Sequence, residues 1–338
     1  MTESNHIKNV ALVGATGQVG SHILQRLLSS PSKFNITILT RKDSSAKIPT
    51  ASNIKVCPVD YENHDELTTA LTGVEVLIIS LSVFTPKETQ PALVDAAAAA
   101  KTVRYIIPNE WGTDWTDPVV NKTAMLGTGI NETRDYIKSK GMSWISVVCG
   151  FWYEYSLGSG PNCYGFDFRS IPGKVYLYDG GNTPVNTSTW EHTGEGTVAM
   201  LELPIKSDSG LSIEGTFANS FLRLSSFQLS QRDMLAAVCR ATSTSESEWE
   251  QITVSTEEYL KTGREQLQQG NRAGFGKILY GSVMEAYPDR NQGHAQAYQA
   301  HKGLHDEALG LAKEDLEACT KGALQIAKEK IETGQYWA

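Results

Sequence analysis

Three glycines near the start of the chain have the spacing that holds a nucleotide diphosphate. They belong to the segment Gly14-Ala-Thr-Gly-Gln-Val-Gly20, which follows an apolar run at 10–13 and precedes a stretch of helical period at 21–28. In such a strand–turn–helix unit, the glycines allow the tight turn, the close approach of the diphosphate and the packing of helix against strand. The diphosphate lies at the positive end of the helix dipole. A glycine turn without a ligand is the alternative, and the flanking strand and helix favour the binding site.

The residues after the second predicted strand indicate which dinucleotide binds. A carboxylate about 20 residues past the glycines is typical of NAD-binding chains, where it accepts hydrogen bonds from the adenosine ribose. Here the strand ends in Arg41 and Lys42, with Lys47 a little further on. Guanidinium binds phosphate through two parallel hydrogen bonds, so these cations suit the 2′-phosphate of NADP(H). The sequence therefore predicts NADP(H) rather than NAD(H), with a solvated basic loop as the alternative.

The elements that must position these residues alternate along the first 150 residues. Short β-branched apolar runs predict strands at 10–13, 36–40, 54–59, 74–81, 104–108 and 144–149. Segments of helical period between them predict helices at 21–28, 65–71, 90–101 and 130–139. This alternation is typical of an α/β fold with a doubly wound parallel sheet, the Rossmann architecture. We expect residues 1–150 to form the NADP(H)-binding domain.

After Gly150 the composition changes to closely spaced aromatic residues and glycines. The aromatic residues of this stretch are Phe151, Trp152, Tyr153, Tyr155, Tyr164, Phe166, Phe168, Tyr176, Tyr178 and Trp190. The change predicts a second, smaller substrate-binding lobe over 151–338, and we leave open that some of its segments return to the first domain. Helical patterns are expected at 197–203, at 226–238 and from about 292 to 330, with a polar connector at 242–250.

Composition and charge narrow the classes of partner. The chain has 338 residues and a formal net charge of −8, which argues against nucleic acid or an anionic membrane as the main partner. No apolar run approaches the ~18 residues of a membrane span, and the polar start predicts no targeting segment. Five scattered cysteines without a CxxC pair are typical of reduced thiols. We expect a cytoplasmic protein, either a monomer or a homodimer.

Several motifs together resemble the NmrA-like, isoflavone-reductase-like branch of the atypical short-chain dehydrogenases, and its fungal members in particular. Besides the glycine segment, the motifs are Leu39-Thr-Arg41, Val59-Asp60-Tyr61, Pro108-Asn-Glu-Trp-Gly112 with Asp114, and Gly150-Phe-Trp152. The resemblance implies NADP(H) bound across the sheet. The implied pyrophosphate contacts are Gly14, Thr16, Gly17, Gln18 and Val19. The other implied contacts are Arg41 at the 2′-phosphate, Asp60 near the adenine, Ser80 and Leu81 beside the ribose, and Pro108, Asn109 and Phe151 near the nicotinamide.

One position departs from that family. Its reductases use a lysine on the helix after the Pro-Asn-Glu-Trp-Gly stretch as proton donor and ribose anchor, and here that position falls on Ile130 or Asn131. Neither side chain can deliver a proton, so the reductive chemistry requires another donor. Lys122 is one candidate, provided that the loop before the helix folds inward. Tyr153 is the other, because its phenol follows the sixth strand at the end where the nicotinamide is expected.

Other pairs of polar residues have common structural explanations. Tyr136 and Lys140 have the Tyr-xxx-Lys spacing of ordinary short-chain dehydrogenases, but they lie at the end of their helix that points away from the ligand edge. Glu110 and Asp114 follow the fifth strand, where a general acid and a helix cap are both consistent with the sequence. His305 has a histidine one turn before it but no third ligand, so no metal is predicted.

The aromatic residues that leave the sixth strand predict the kind of substrate. Trp111, Trp152, Tyr153 and Tyr155 are expected to line a site for a large planar or polycyclic apolar molecule, with core packing as the alternative. We therefore predict an NADPH-dependent reductase of a bulky apolar or aromatic small molecule in fungal secondary metabolism. The alternatives are a cyclase or isomerase that retains NADP(H), and a non-enzymatic sensor of NADP(H).

Overall fold

A parallel sheet of seven strands organises the first half of the chain. The computed structural model describes residues 4–115, 127–271, 273–284, 298 and 302–336. The strands are β1 (Asn9–Val13), β2 (Asn35–Arg41), β3 (Ile54–Val59), β4 (Val76–Ile79), β5 (Tyr105–Ile107), β6 (Ser143–Val148) and, much later in the chain, β11 (Ser220–Arg223). They lie in the order β11-β6-β5-β4-β1-β2-β3, and each neighbouring pair is parallel.

Helices cover both faces of this sheet. They are α1 (Gln18–Ser29), α2 (His64–Leu71), α3 (Thr89–Ala100), α4 (Gly127–Ser139) and α6 (Trp190–Glu202). Successive strand residues point to opposite faces, so Leu12 belongs to the core that contains Ile23 of α1, and Val13 to the core that contains Leu67 of α2. α6 packs beside α1. Strands covered on both faces are almost entirely apolar, as β4 and, after Asn9, β1 are. The predicted doubly wound α/β fold is confirmed.

The aromatic part of the chain forms two small sheets and a second core. One sheet contains β7 (Phe151–Trp152), β10 (Val185–Ser188) and β12 (Phe227–Leu229), and the other contains β8 (Phe166–Asp167), β9 (Lys174–Tyr178) and β13 (Glu250–Val254). The helices are α5 (Tyr153–Gly158), α7 (Gln231–Thr242), α8 (Thr256–Gln268), α9 (Ala273–Met284) and α10 (Leu316–Glu332), with a π-helical turn at Ile213–Phe217 and a 3-10 turn at Glu246–Glu248. The domain boundary at residue 150 stays a prediction.

Three predicted elements differ from the structure. β4 ends at Ile79 because the backbone of Leu81 bonds a side chain instead of a neighbouring strand. The helix predicted at 226–238 is instead β12 followed by α7, since Ser230 and Asp233 form a capping box that begins the helix there. In the described part of 292–330, Lys302 and α10 are helical, whereas residues 303–315 are turns and irregular chain.

The last helix lies directly on α5. A Cβ on Gly158 would come within 2.5 Å of the Ala323 carbonyl oxygen, so only glycine permits this approach. Thr320 and Ala327 are buried on the same face of α10. Across residues 4–115, 127–271, 273–284 and 302–336, no helix has the length and apolar composition that crossing a bilayer requires.

Candidate active site

The glycine turn between β1 and α1 is held tightly against the sheet. Gly14 has a φ of +82°, and a Cβ there would come within 1.7 Å of the Ser80 carbonyl oxygen. A Cβ on Gly20 would come within 2.0 Å of the Gly14 carbonyl oxygen, so α1 packs onto its own turn. Gly17 precedes α1 and supplies no capping side chain. The first amides of the helix are therefore left to a ligand or to water, as an anion site requires.

A cleft of about 1220 Å³ opens beside this turn at the carboxyl edge of the sheet. Its wall contains the following predicted cofactor contacts: Gly14, Thr16, Gly17, Arg41, Lys42, Asp60, Ser80 and Leu81. Other predicted contacts lie outside its lining: Gln18, Val19, Pro108, Asn109 and Phe151. Val19 is buried in the core beneath, so it can offer only backbone atoms. The cleft thus collects the expected adenosine and diphosphate contacts, while the expected nicotinamide contacts lie beyond it.

The two cations at the end of β2 differ in their surroundings. The Arg41 side chain is 69% exposed, and its Nε lies 3.6 Å from an Asp43 oxygen that is still more exposed. The Lys42 Nζ lies 2.6 Å from Glu66 Oε1, and this bond helps to hold the pKa of the Glu66 carboxyl below its usual value. Glu66 also accepts a hydrogen bond from the amide of Asp60. Arg41 is therefore the cation available to a phosphate, whereas Lys42 is held by the structure.

Asn109 ties the end of β5 to the loop after β4. Its side-chain oxygen accepts a hydrogen bond from the Leu81 amide at 2.9 Å, and its side-chain nitrogen donates to the Leu81 carbonyl at 3.0 Å. Trp111 makes a similar link, because its indole donates to the Ile79 carbonyl at 2.8 Å. Both side chains therefore fix the wall next to the expected nicotinamide, and their polar atoms are occupied by backbone partners.

The carboxylates that follow β5 form structural ion pairs. Glu110 is buried and accepts hydrogen bonds from Arg134 at 2.5 and 2.9 Å and from Ser146 at 2.7 Å. Burial raises the pKa of Glu110, and the Arg134 guanidinium opposes this effect. Asp114 is fully buried, 2.9 Å from the Lys302 ammonium. Neither carboxylate is placed to act as a general acid on a ligand.

Trp152, Tyr155 and Trp190 form an aromatic wall beside α1. The rings of Trp152 and Tyr155 both approach Trp190, with centroids 6.4 and 6.2 Å away. Trp190 in turn stacks at 6.2 Å on His22 of α1. The structure therefore brings Trp152 and Tyr155 together near the first turns of α1, and it adds Trp190, which sequence reasoning had treated only as part of an aromatic run.

Comparison with known proteins identifies the family. Residues 14–156 match the sequence profile of the NAD(P)H-binding family. The chain is 30% identical over 277 residues to the oxidoreductase aprR of Aspergillus flavus, an alignment that covers 80% of this chain and 85% of aprR. The chain belongs to the NmrA-like, isoflavone-reductase-like family of NAD(P)H-dependent oxidoreductases. The predicted family and the nicotinamide dinucleotide cofactor are confirmed.

Solved structures share the fold of this oxidoreductase. The structure of AtPrR2 with NADP+ and (+)pinoresinol has a TM-score of 0.70 at 17% identity, and the alignment covers 95% of this chain and 99% of AtPrR2. A crystal structure of isoflavone reductase has a TM-score of 0.68 at 17% identity, with coverage of 96% and 99%. At this identity the likeness concerns the fold.

The structure does not support Tyr153 as the proton donor of the oxidoreductase. Tyr153 is fully buried in the second core, and a hydrogen bond of 2.8 Å joins its hydroxyl to Thr320 of α10. Burial raises the pKa of Tyr153 well above its usual value. Phe151 is likewise buried, with its ring 4.4 Å from that of Tyr280. Both side chains therefore pack in the second core. They do not line the cleft and do not belong to the aromatic wall.

The structure also shows the surroundings of the family's lysine position. Ile130 packs against the second core, and Asn131 is exposed. Lys122 lies outside the described residues. The pair Tyr136 and Lys140 bonds Asp95 at 2.7 and 2.6 Å, as expected for a structural pair. Among the described residues, Tyr153 and the pair Tyr136 and Lys140 are thus engaged elsewhere, while the role of Lys122 stays a prediction.

Lys330 is a candidate that sequence reasoning missed. Its ammonium donates to the Ser159 hydroxyl at 2.7 Å and lies 4.0 Å from the centroid of the Tyr155 ring. The available signal was periodicity, because Thr320, Ala323, Ala327 and Lys330 follow one another at the spacing of a single helical face. A lysine at the end of an otherwise buried face indicates a special environment.

Proposed function

We propose that this oxidoreductase is an NADPH-dependent reductase of a bulky, apolar or aromatic small molecule, and that it acts in fungal secondary metabolism. The observation that carries the proposal is the position of Arg41, whose exposed guanidinium lines the same cleft as the glycine turn. A nucleotide whose diphosphate lies at Gly17 and whose adenosine occupies this cleft has its 2′-phosphate within reach of that cation.

The residues present fit a phosphorylated dinucleotide. The uncapped start of α1 offers amide donors to the diphosphate, and Gly14 and Gly20 keep the turn free of side chains that would fill the cradle. Ser80 and Leu81 line the cleft at the end of β4, and Asp60 lines it at the end of β3. When bound, the reduced nicotinamide supplies a hydride. The chain's own part is to hold the nucleotide, to orient the acceptor and to deliver a proton to it.

The aromatic wall supports the proposed class of substrate. Trp152, Tyr155 and Trp190 offer large flat surfaces next to α1, and such surfaces suit a planar acceptor. AtPrR2, a structural neighbour, binds (+)pinoresinol, which is an aromatic molecule. Fungal relatives such as aprR are oxidoreductases, which is consistent with a fungal reductase.

The test measures NADPH consumption and product formation together. Purified enzyme is mixed with NADPH or NADH and with trans-chalcone, a flat aromatic enone, or (+)-pinoresinol. We expect NADPH to be oxidised in equal amount with the reduced product, and NADH to be used poorly. Failure of the enzyme to bind NADPH in a calorimetric titration would overturn the proposal.

A cyclase or isomerase that retains NADP(H) is the second candidate. The observation that favours it is Ile130, an aliphatic side chain packed against the second core at the family's lysine position. In that case, product would accumulate from a cyclisable substrate while the NADPH absorbance stays constant. The same assay therefore separates the two functions.

A further inference from the structure

A second pocket lies at the first residue of α1. It has a volume of about 450 Å³ and is lined by Gln18, Tyr155, Lys330, Gly334, Gln335 and Tyr336. Gln18 is the first residue of α1 and directly follows Gly17, which lines the nucleotide cleft. Consecutive residues at the start of α1 thus line the two cavities, at the turn where the diphosphate is expected. A ligand in the smaller pocket would therefore lie close to the diphosphate of a bound dinucleotide.

The packing of α10 on α5 places Lys330 in this pocket. Gly158 lets the two helices approach, and Thr320 of α10 bonds Tyr153 of α5. Ala327, which is buried, lies one turn before Lys330 on the same face. The lysine is thus held by a rigid helix pair and does not depend on a loop.

The surroundings of the Lys330 ammonium are polar but contain no counter-ion among the described residues. Ser159 is fully buried and accepts its hydrogen bond at 2.7 Å, while the face of Tyr155 lies 4.0 Å away. None of the ion pairs between described residues includes Lys330. Burial lowers the pKa of Lys330, whereas burial raises that of Tyr155 to about 12. Burial thus makes the Lys330 ammonium release its proton more readily than an ordinary lysine, whereas it makes the Tyr155 hydroxyl hold its proton more firmly. The ammonium also lines a pocket that a ligand can enter.

We propose that Lys330 is the catalytic proton donor of this enzyme and that the pocket around it binds the oxygen of the substrate's carbonyl or enone group. The inference rests on the proposed function. Lys330 supplies the same ammonium chemistry as the family's lysine, but from the last helix instead of α4. Tyr155 and Ser159 are positioning residues, because they hold the ammonium through its cation–π contact and its hydrogen bond.

The proposed step balances with NADPH as the two-electron reductant. The acceptor carbon receives a hydride from NADPH, and the carbonyl π pair moves onto oxygen to form an alkoxide or enolate. That oxygen takes a proton from the Lys330 ammonium, which becomes a neutral amine. Water at the open pocket then restores the proton. The substrate is reduced by two electrons and two hydrogens, and NADPH leaves as NADP+.

The principal test uses 4-nitrophenol, whose phenolate is a stable mimic of the developing oxyanion. It is titrated into the enzyme with saturating NADP+ at a pH where the free phenol is mostly protonated. We expect wild-type enzyme to bind the yellow phenolate. Lys330→Met is expected to weaken phenolate binding by about 10–100-fold, because a hydrogen bond from a charged donor is lost. Lys328→Met, at an exposed position of the same helix, is the matched control and is expected to bind like wild type.

A second variant separates charge from proton transfer. Lys330→Arg keeps the positive charge but does not release its proton at ordinary pH. It should retain phenolate binding and lose most of the NADPH oxidation seen with trans-chalcone. It also provides a folded comparison if Lys330→Met does not fold, as judged by circular dichroism.

The outcomes distinguish this inference from the proposed function. Phenolate binding that is absent in wild type, or unchanged in Lys330→Met, overturns the role of Lys330 whether or not NADPH is oxidised. Phenolate binding that depends on Lys330 supports the oxyanion site. If such binding occurs but wild type reduces neither trans-chalcone nor (+)-pinoresinol, the reductase proposal fails for these substrates and the oxyanion site stands.

Discussion

The nucleotide end of the ligand site consists mainly of backbone atoms from short consecutive segments, whereas the other end consists of side chains from distant helices. At the first end, a turn of seven residues and the ends of neighbouring strands form the cleft. At the second end, Tyr155 and Ser159 meet Lys330 only because α10 packs on α5. One added side chain at the turn can therefore prevent nucleotide binding at the first end. At the second end, any loss of contact between α10 and α5 displaces Lys330.

The largest effect is expected from Gly14→Ala, which changes the backbone conformation of the nucleotide end. The new Cβ would come within 1.7 Å of the Ser80 carbonyl, so the turn or β4 must shift. We expect NADPH affinity in calorimetric titration to fall on the order of 100-fold or more, since misplaced amides lose several charge-assisted hydrogen bonds.

Gly73→Ala is the matched control for Gly14→Ala. Gly73 has a φ of +84° but nothing within 4 Å of its new Cβ, so it tests the backbone strain without the clash. That strain costs roughly 1–2 kcal/mol of stability. Equal losses of NADPH affinity in the two variants would contradict the role given to close packing at the turn.

A smaller effect is expected from Arg41→Ala, which removes one side chain from the same end. NADPH should bind about 10–100-fold more weakly, because a charged hydrogen-bonding partner of the 2′-phosphate is lost, while NADH affinity stays constant. Lys42→Ala is the control, and its effect should be smaller because Lys42 is already paired with Glu66. Unchanged NADPH affinity in Arg41→Ala would remove the basis for preferring NADP(H).

The smallest effect is expected from Glu154→Gln at the second end, and it concerns stability. Glu154 accepts a hydrogen bond from the Trp190 amide, and burial raises its pKa to about 7, with Glu314 and Glu191 adding to the shift. Between pH 4.5 and about 7 the folded chain binds a proton that the unfolded chain has lost. The free energy of unfolding therefore falls as pH rises, by at most about 1.4 kcal/mol per pH unit from this group.

Glu154→Gln should remove that part of the pH dependence and become more stable than wild type above pH 7. Urea unfolding across this range measures the slope. Buried His192 contributes in both proteins. Burial lowers its pKa, but the Asp306 carboxylate raises the pKa by more, so the stability that His192 gives is lost as pH rises through its folded pKa. Exposed Glu265→Gln, on α8 and not among the charges that shift Glu154, is the control and should keep the wild-type slope. An unchanged slope in Glu154→Gln would contradict a buried, neutral Glu154.

The parallel sheet was predictable because most of its strands are continuous apolar runs. β1 and β4 are covered on both faces and contain few polar residues, so their sequences stand out. β11 was missed because Ser220–Arg223 is a short edge strand with a serine and an arginine. It returns to β6 from the aromatic part of the chain, and its four residues carry no signal of that pairing.

The nucleotide end was predictable because its residues lie in short segments next to the apolar strands. The second end was not, because its side chains come from helices that are distant in the sequence. Tyr153 and Tyr155 were both expected at the ligand, as if they continued a strand. α5 begins at Tyr153, and residues two apart in a helix point in roughly opposite directions. Tyr153 therefore enters the core, and only Tyr155 reaches the pocket. Lys330 depends on which helices pack together, and the spacing along α10 does not specify its partner.

The contact between α10 and α5 also orders events during synthesis. A ribosome that has released residues up to Asn109 has already delivered β1, β2, β3, β4 and the turn between β1 and α1. Lys330 emerges later, by tens of seconds at typical rates of translation. The growing chain can thus encounter its nucleotide well before it has the group that would protonate a substrate.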